Sequence, residues 1–173
     1  MLDSPYVRRV AISLDVYGVD FVHEPLSVFR AFSEFAQINP VVKAPTLVLD
    51  DGTVLMDSSL ILDYLEALAP DNKKLLAQQP AARAQELQVL GLALAACEKS
   101  VQIVYEHNLR PAEKQHAPWI ERVTGQLLAA YTLLDKHLAP ADSEALTQAS
   151  LTAAVAWSFS QFTVASVVKA AAF

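Results

Sequence analysis

Apolar residues recur at helical spacing over most of this chain, and the shorter patterns are gathered toward its start. Val7, Val10, Ala11 and Leu14 predict an amphipathic helix over residues 5–17. Ser4 is a good N-cap for it, Pro5 suits its first position, and Gly18 ends it. Phe21–Leu26 reads as a strand and residues 29–37 as a short helix. Two apolar runs, Thr46–Asp50 and Thr53–Met56, flank Asp51-Gly52 and predict a hairpin with a type I′ turn. Pro45 stands just before the first of these strands, where no ladder N–H is lost. Asp57-Ser58 opens the next helix, whose inner face is read as Ile61, Tyr64, Leu65 and Leu68. Pro70-Asp71-Asn72 breaks that helix and Pro80 starts another. From there the pattern is helical throughout. Leu87, Leu90, Leu94, Cys97, Val101 and Val104 form one seam, and Ile120, Val123, Leu127, Ala130 and Leu134 a second. A third helix begins near Thr147, with Leu151, Ala154, Val155, Phe159 and Phe162 inside. The expected organisation is a mixed α/β domain over residues 1–69, a linker over 70–79 and an all-helical domain over 80–173.

Charge and composition narrow the partners. The 173 residues carry 13 Lys and Arg against 19 Asp and Glu, a net −6 with no basic run, so nucleic acid and anionic membranes fit poorly. No charge occurs between Glu144 and Lys169, a length that raises the question of a membrane span. The Thr, Ser and Gln residues scattered through it favour a buried helix instead. The first residues lack the apolar run of a signal peptide. Cys97 is the single cysteine, which excludes an internal disulfide and fits a reducing, cytoplasmic setting. It sits on an apolar seam and reads as core. His23, His107, His116 and His137 show no metal-ligand spacing and read as surface residues; no metal is expected.

The candidate chemistry lies in NPVVKAPTLVLDDGTVLMDS, residues 39–58. A helix N-terminus attracts anions through its unpaired N–H groups and its dipole. Asp57 beside it can hold an ammonium. A ligand bearing a carboxylate and an amine at one end would fit.

Taken together, SPYVRRVAISL, NPVVKAPTLVLDDGTVLMDSSLILDYLEAL and the helical tail resemble a bacterial glutathione S-transferase of the serine type. The resemblance implies a thioredoxin-like α/β domain followed by an all-α domain, with glutathione as co-substrate. It implies that Ser4 acts on the glutathione sulfur. A free thiol has a pKa of about 8.5, and a hydroxyl donor together with a helix N-terminus favours the thiolate. It further implies that Pro45 is cis, that the Ala44 backbone pairs with the cysteinyl part, that Lys43 meets the glycyl carboxylate, and that Asp57 and Ser58 hold the γ-glutamyl group. Tyr105 and Trp157 are candidates for the wall of the electrophile pocket. A homodimer formed through the third and fourth helices, a small apolar electrophile and a detoxifying transferase activity complete the expectation. Peroxidase, dehalogenase or isomerase chemistry on the same site, or a non-catalytic binding role, are the alternatives.

Two departures from the family pattern stand out. Thr147 is followed three residues later by Ser150, where a carboxylate is usual; this predicts a weakened capping box, at a loss of about 1 kcal/mol. Only three residues precede Ser4, where the family has a full strand, and the chain stops at Phe173, before the family's last helices. The expectation is therefore a fragment of marginal stability and poor activity.

Overall fold

The structure, a computed structural model, describes residues 1–138 and 146–169. The parts of the expected helical domain at 139–145 and 170–173 lie outside the described residues. The chain divides into two compact units, Met1–Leu75 and Leu76–Phe173.

The first unit holds α1 (Pro5–Tyr17), α2 (Phe32–Ile38), β1 (Thr46–Val48), β2 (Val54–Met56) and α3 (Ser58–Leu68). Ser4 caps α1, and Gly18 closes it at a φ of 74° that an L side chain rarely adopts. The strands pair antiparallel, with Thr46 opposite Met56 and Val48 opposite Val54. The turn between them is not type I′. Gly52 N–H donates to the Leu49 carbonyl and Leu49 N–H to the Thr53 carbonyl, while only Gly52 has a positive φ. That is a three-residue loop closed by a left-handed glycine. Asp51 secures it by accepting from Thr53 N–H at 2.8 Å.

The strand expected at Phe21–Leu26 does not form: these residues are irregular and mostly exposed. A strand needs a ladder partner, and none of the described strands pairs with this segment. It and β1 instead line a cavity of about 910 Å³, walled on the helical side by Val10, Leu14, Ile61 and Leu65. The inner face of α3 is also rotated from the expected one. Ile61, Leu62, Leu65 and Glu66 are buried, whereas Leu68 and Tyr64 are exposed, Leu68 at 62%. Glu66 is tolerated inside because it is bonded. Tyr17 Oη donates to its Oε2 at 2.7 Å and Leu75 N–H at 3.1 Å. Burial, then Glu66, pushes the Tyr17 phenol well above its ordinary range.

The second unit holds α4 (Pro80–Leu109), α5 (Ala117–His137), α6 (Gln148–Thr163) and the short α7 (Ala165–Val168). Among the described residues α4 is the one helix long and apolar enough to cross a membrane. It packs against both α5 and α6, as the core helix of a bundle does. Its buried stripe runs through Val89, Leu90, Ala93, Ala96, Cys97, Ser100 and Ile103, displaced from the expected seam; Leu87 is exposed. The small residues Ala93, Ala96 and Ser100 sit at the stripe's centre because they let the neighbouring backbones approach. Hydrophobicity alone points to the leucines and misses this. In α6, Ala154 and Phe162 are exposed rather than internal, Phe162 at 86%. The capping box of α6 is complete after all. Ser150 N–H donates to Thr147 Oγ1 at 3.1 Å, and Ser150 Oγ accepts from Thr147 N–H at 3.0 Å. A hydroxyl does what the missing carboxylate was expected to do. Inside the bundle, Tyr131 Oη meets Ser160 Oγ at 2.6 Å and donates to the Ala156 carbonyl, and Ser160 meets Ser100 at 2.7 Å. All four histidines are exposed, and Cys97 is fully buried.

Candidate functional site

Lys43, Asp57 and Ser58 come together at the mouth of α3. The loop that carries Lys43 is shaped by a buried amide, Asn39. Its Oδ1 accepts from Val41 N–H at 3.0 Å, and its Nδ2 donates to Thr46 Oγ1 at 2.9 Å. Thr46 Oγ1 in turn donates to the Lys43 carbonyl at 2.7 Å. The Ala44–Pro45 peptide that follows is cis. Across from this loop, β2 delivers Asp57 as the N-cap of α3, with its Oδ1 accepting from Ser59 N–H at 2.9 Å. Lys43 Nζ reaches the other carboxylate oxygen at 3.1 Å. The two side chains are 52% and 41% exposed, so the pair is open to exchange.

Electrostatics keep Asp57 ionised. Burial works against its charged form, but Ser59 N–H and the Lys43 ammonium outweigh that and hold its carboxyl below the usual range. Backbone strain is concentrated here too. Val42 has a φ of 52° and Asp57 a φ of 75°, and among the described residues no other non-glycine residue has a positive φ. Strained backbone of this kind persists where the surroundings over-determine it, which is common at ligand sites.

Arg9 lies beneath this cluster. It is 1% exposed, and its Nη1 donates to Ser58 Oγ at 3.1 Å and to Ser59 Oγ at 3.3 Å. Arg9 thereby ties α1 to α3. Ser4, at the head of α1, accepts from Val7 N–H at 3.5 Å, a long bond, and keeps its hydroxyl hydrogen to donate elsewhere. Among the described residues no hydrogen bond joins Ser4 directly to Lys43 or Asp57; α1 and Arg9 connect them. The large cavity of this unit is lined by Ala44 and Pro45 but not by Ser4, Lys43, Asp57 or Ser58, so it is distinct from the polar cluster. Tyr105 and Trp157 belong to the other unit. Tyr105 is 44% exposed, and Trp157 packs edge-on against Tyr131 with ring centroids 5.1 Å apart. No group of acidic, histidine or cysteine residues among the described ones has a metal-binding arrangement.

Sequence reasoning missed Arg9, Asn39 and Ser59. For Arg9 a signal exists: Pro5, Arg9, Ser13 and Tyr17 recur every four residues, a partly polar stripe that turns out buried. Asn39 and Ser59 carry no comparable signal.

Known proteins decide the family. A solved glutathione transferase family member from Pseudomonas fluorescens Pf-5, with bound glutathione, is 30% identical; the match covers 97% of this chain and 83% of that one, with a TM-score of 0.85. The chain belongs to the glutathione transferase family. The family described as glutathione S-transferase, N-terminal domain, matches residues 1–73 of this chain. The first unit is thus a thioredoxin-like domain whose described sheet has two strands, and the second is the helical domain that goes with it. Among curated proteins, maleylacetoacetate isomerase of Pseudomonas aeruginosa is 33% identical over 136 residues, 70% of this chain and 61% of that protein. Probable maleylacetoacetate isomerase 1 of Drosophila melanogaster is 30% identical over 122 residues, 66% of this chain and 49% of its own length. This transferase-family chain therefore spans about half to three-fifths of the length of these relatives.

Proposed function

We propose that the chain binds glutathione in its first unit and uses the bound thiolate on a small apolar electrophile, conjugating it. The observation that carries this reading is the exposed Lys43–Asp57 pair at the N-terminus of α3, 3.1 Å apart. Each partner has a counterpart in the ligand. The γ-glutamyl ammonium replaces Lys43 at Asp57, Ser58 and the α3 N-terminus take the adjacent carboxylate, and the released Lys43 meets the glycyl carboxylate. Charge is exchanged one for one, so no ion is left buried without a partner. The Ala44 backbone before Pro45 holds the cysteinyl part. Ser4 donates its hydroxyl hydrogen to the sulfur, and the N-terminus of α1 adds positive potential, so the thiolate is favoured. Residues 1–69 serve as the glutathione-binding part and 80–173 as the helical part that meets the electrophile, with Tyr105 and Trp157 as candidates for its wall. A cytoplasmic homodimer is the assembly this reading favours.

Isomerisation is the second reading, favoured by the names of the curated relatives. Both reactions begin alike. The thiolate adds to an alkene carbon conjugated with a carbonyl, a C–S bond forms and the π pair moves to the carbonyl oxygen. Conjugation protonates the adduct and keeps the C–S bond. Isomerisation rotates about the new single bond, then expels the thiolate and restores the alkene. One assay separates them. With a cis enone and glutathione, loss of free thiol in step with substrate marks conjugation. Conversion to the trans alkene at constant thiol marks isomerisation. Failure of the chain to be retained on immobilised glutathione would overturn both readings.

A further inference from the structure

Arg9 is the largest fully buried side chain among the described residues, and it lies under a polar site. A guanidinium only donates hydrogen bonds. Ser58 Oγ and Ser59 Oγ are therefore acceptors toward Arg9, at 3.1 and 3.3 Å, and each hydroxyl hydrogen is left for another partner. Ser58 is 4% exposed, whereas Ser59 faces solvent in the first turn of α3. Asp57 Oδ1 occupies Ser59 N–H. The hydroxyls, the remaining N–H groups of the first turn and the buried positive charge all favour an anion at this end of α3. At 1% exposure Arg9 cannot touch that anion itself.

We propose that Arg9 is a positioning residue for the ligand's α-carboxylate: it fixes the serine hydroxyls as donors and sets positive charge beneath them. The inference rests on the glutathione reading and adds a specificity determinant to it. The alternative is a purely structural tie between α1 and α3, which would weaken every ligand alike.

Three ligands distinguish these roles by calorimetric titration of the full chain: glutathione, γ-aminobutyryl-cysteinylglycine, which lacks the α-carboxylate, and glutaryl-cysteinylglycine, which lacks the α-amine. In the wild type, loss of the carboxylate is expected to weaken binding about tenfold or more. In Arg9→Met that ratio should fall to about threefold or less, while the ratio for loss of the amine, which reports on Asp57, stays unchanged. Arg9→Lys, which keeps a donor and the charge, should recover part of the carboxylate ratio. Ser59→Ala is an exposed change that spares the fold, and it should shrink the same ratio alone. It carries the test if Arg9→Met does not fold. An unchanged carboxylate ratio in Arg9→Met or in Ser59→Ala, or an equal loss for all three ligands in Arg9→Met, overturns the role. A wild type that binds glutathione without preferring the carboxylate overturns this inference only. A wild type that binds none of the three overturns the glutathione reading with it.

Discussion

Asp57→Gly should separate stability from binding at the γ-glutamyl site. Asp57 has φ 75° and ψ 123°, outside the left-handed helical well that a non-glycine residue can share at modest cost. Strain of this kind costs about 1–3 kcal/mol, and glycine relieves it. Three losses oppose the gain. The capping bond to Ser59 N–H goes, but an N-cap glycine costs only a few tenths of a kcal/mol. The Lys43 pair goes, which at 52% and 41% exposure is worth about 0–1 kcal/mol. The freer unfolded chain takes back about 0.5–1 kcal/mol. The sum runs from about 1 kcal/mol unfavourable to about 2 kcal/mol favourable by these same ranges. Asp57→Ala also loses the Lys43 pair and loses capping more fully, and it keeps the strain; it lacks only the unfolded-chain cost that glycine carries. Glycine should therefore be more stable than alanine by at least about 1 kcal/mol, or about 2–4 °C in melting temperature for a chain of this size. Both variants should lose about 1.5–3 kcal/mol of glutathione affinity, roughly 10- to 150-fold, because the ammonium loses its carboxylate. Urea unfolding and calorimetric titration of the three proteins decide it. Equal stability of the glycine and alanine variants refutes the strain argument, and unaltered affinity in the glycine variant refutes the role of Asp57.

Ser4→Ala should leave glutathione affinity within a few-fold and lower turnover about tenfold or more, with the bound thiol pKa rising; thiolate absorbance against pH checks this, and an unshifted pKa removes Ser4 from the chemistry. Burial pushes the Tyr131 phenol up to about 12, and Tyr17 is raised as well. Because the folded value exceeds the unfolded value of about 10, their contribution is complete below pH 10 and is lost as pH rises toward 12. The unfolding free energy read from urea curves should fall by a few kcal/mol, on the order of 1.4 kcal/mol per pKa unit, across that window, and a flat urea midpoint refutes the assignment. Leu60 and Leu68 stand exposed on α3, at 65% and 62%. If the proposed homodimer uses this helix, Leu60→Glu should shift sedimentation at micromolar concentration from dimer to monomer without lowering the melting temperature of the monomer.

Elements set by local rules were legible in the sequence. α1 is bounded by Ser4, Pro5 and Gly18, each acting through its own backbone geometry, and its limits agree with the expectation. The hairpin was legible as a hairpin but not in its turn. Asp50-Asp51-Gly52 can close a three-residue loop as readily as Asp51-Gly52 closes a two-residue one, and the choice falls to the pairing register. Phe21–Leu26 has strand composition but no ladder partner, and no local pattern reports a missing partner. The faces of α3 and α4 were misread for a common reason. Periodicity finds the apolar stripe, whereas burial also follows close packing at Ala93 and Ala96 and polar satisfaction at Glu66.

The same limit explains what was and was not visible of the site. Asp57 and Ser58 stood out because a carboxylate and a hydroxyl open a helix, whereas Lys43, Ala44 and Pro45 stood out only through the resemblance to glutathione S-transferases. The structure adds the layer below. Asn39 fixes the loop that presents Lys43, and Arg9 fixes the hydroxyls beside Asp57. Both act through other residues, 49 positions away for Arg9 and Ser58, so no local pattern announces their roles, although the four-residue stripe of α1 hints that Arg9 is buried. Arg9 in particular is a charge on a helix face that burial would forbid unless its hydrogen bonds were satisfied. That a cation is kept at 1% exposure directly under an anion-attracting helix end is the physical reason to expect its charge, and not only its packing, to be felt by whatever binds above it.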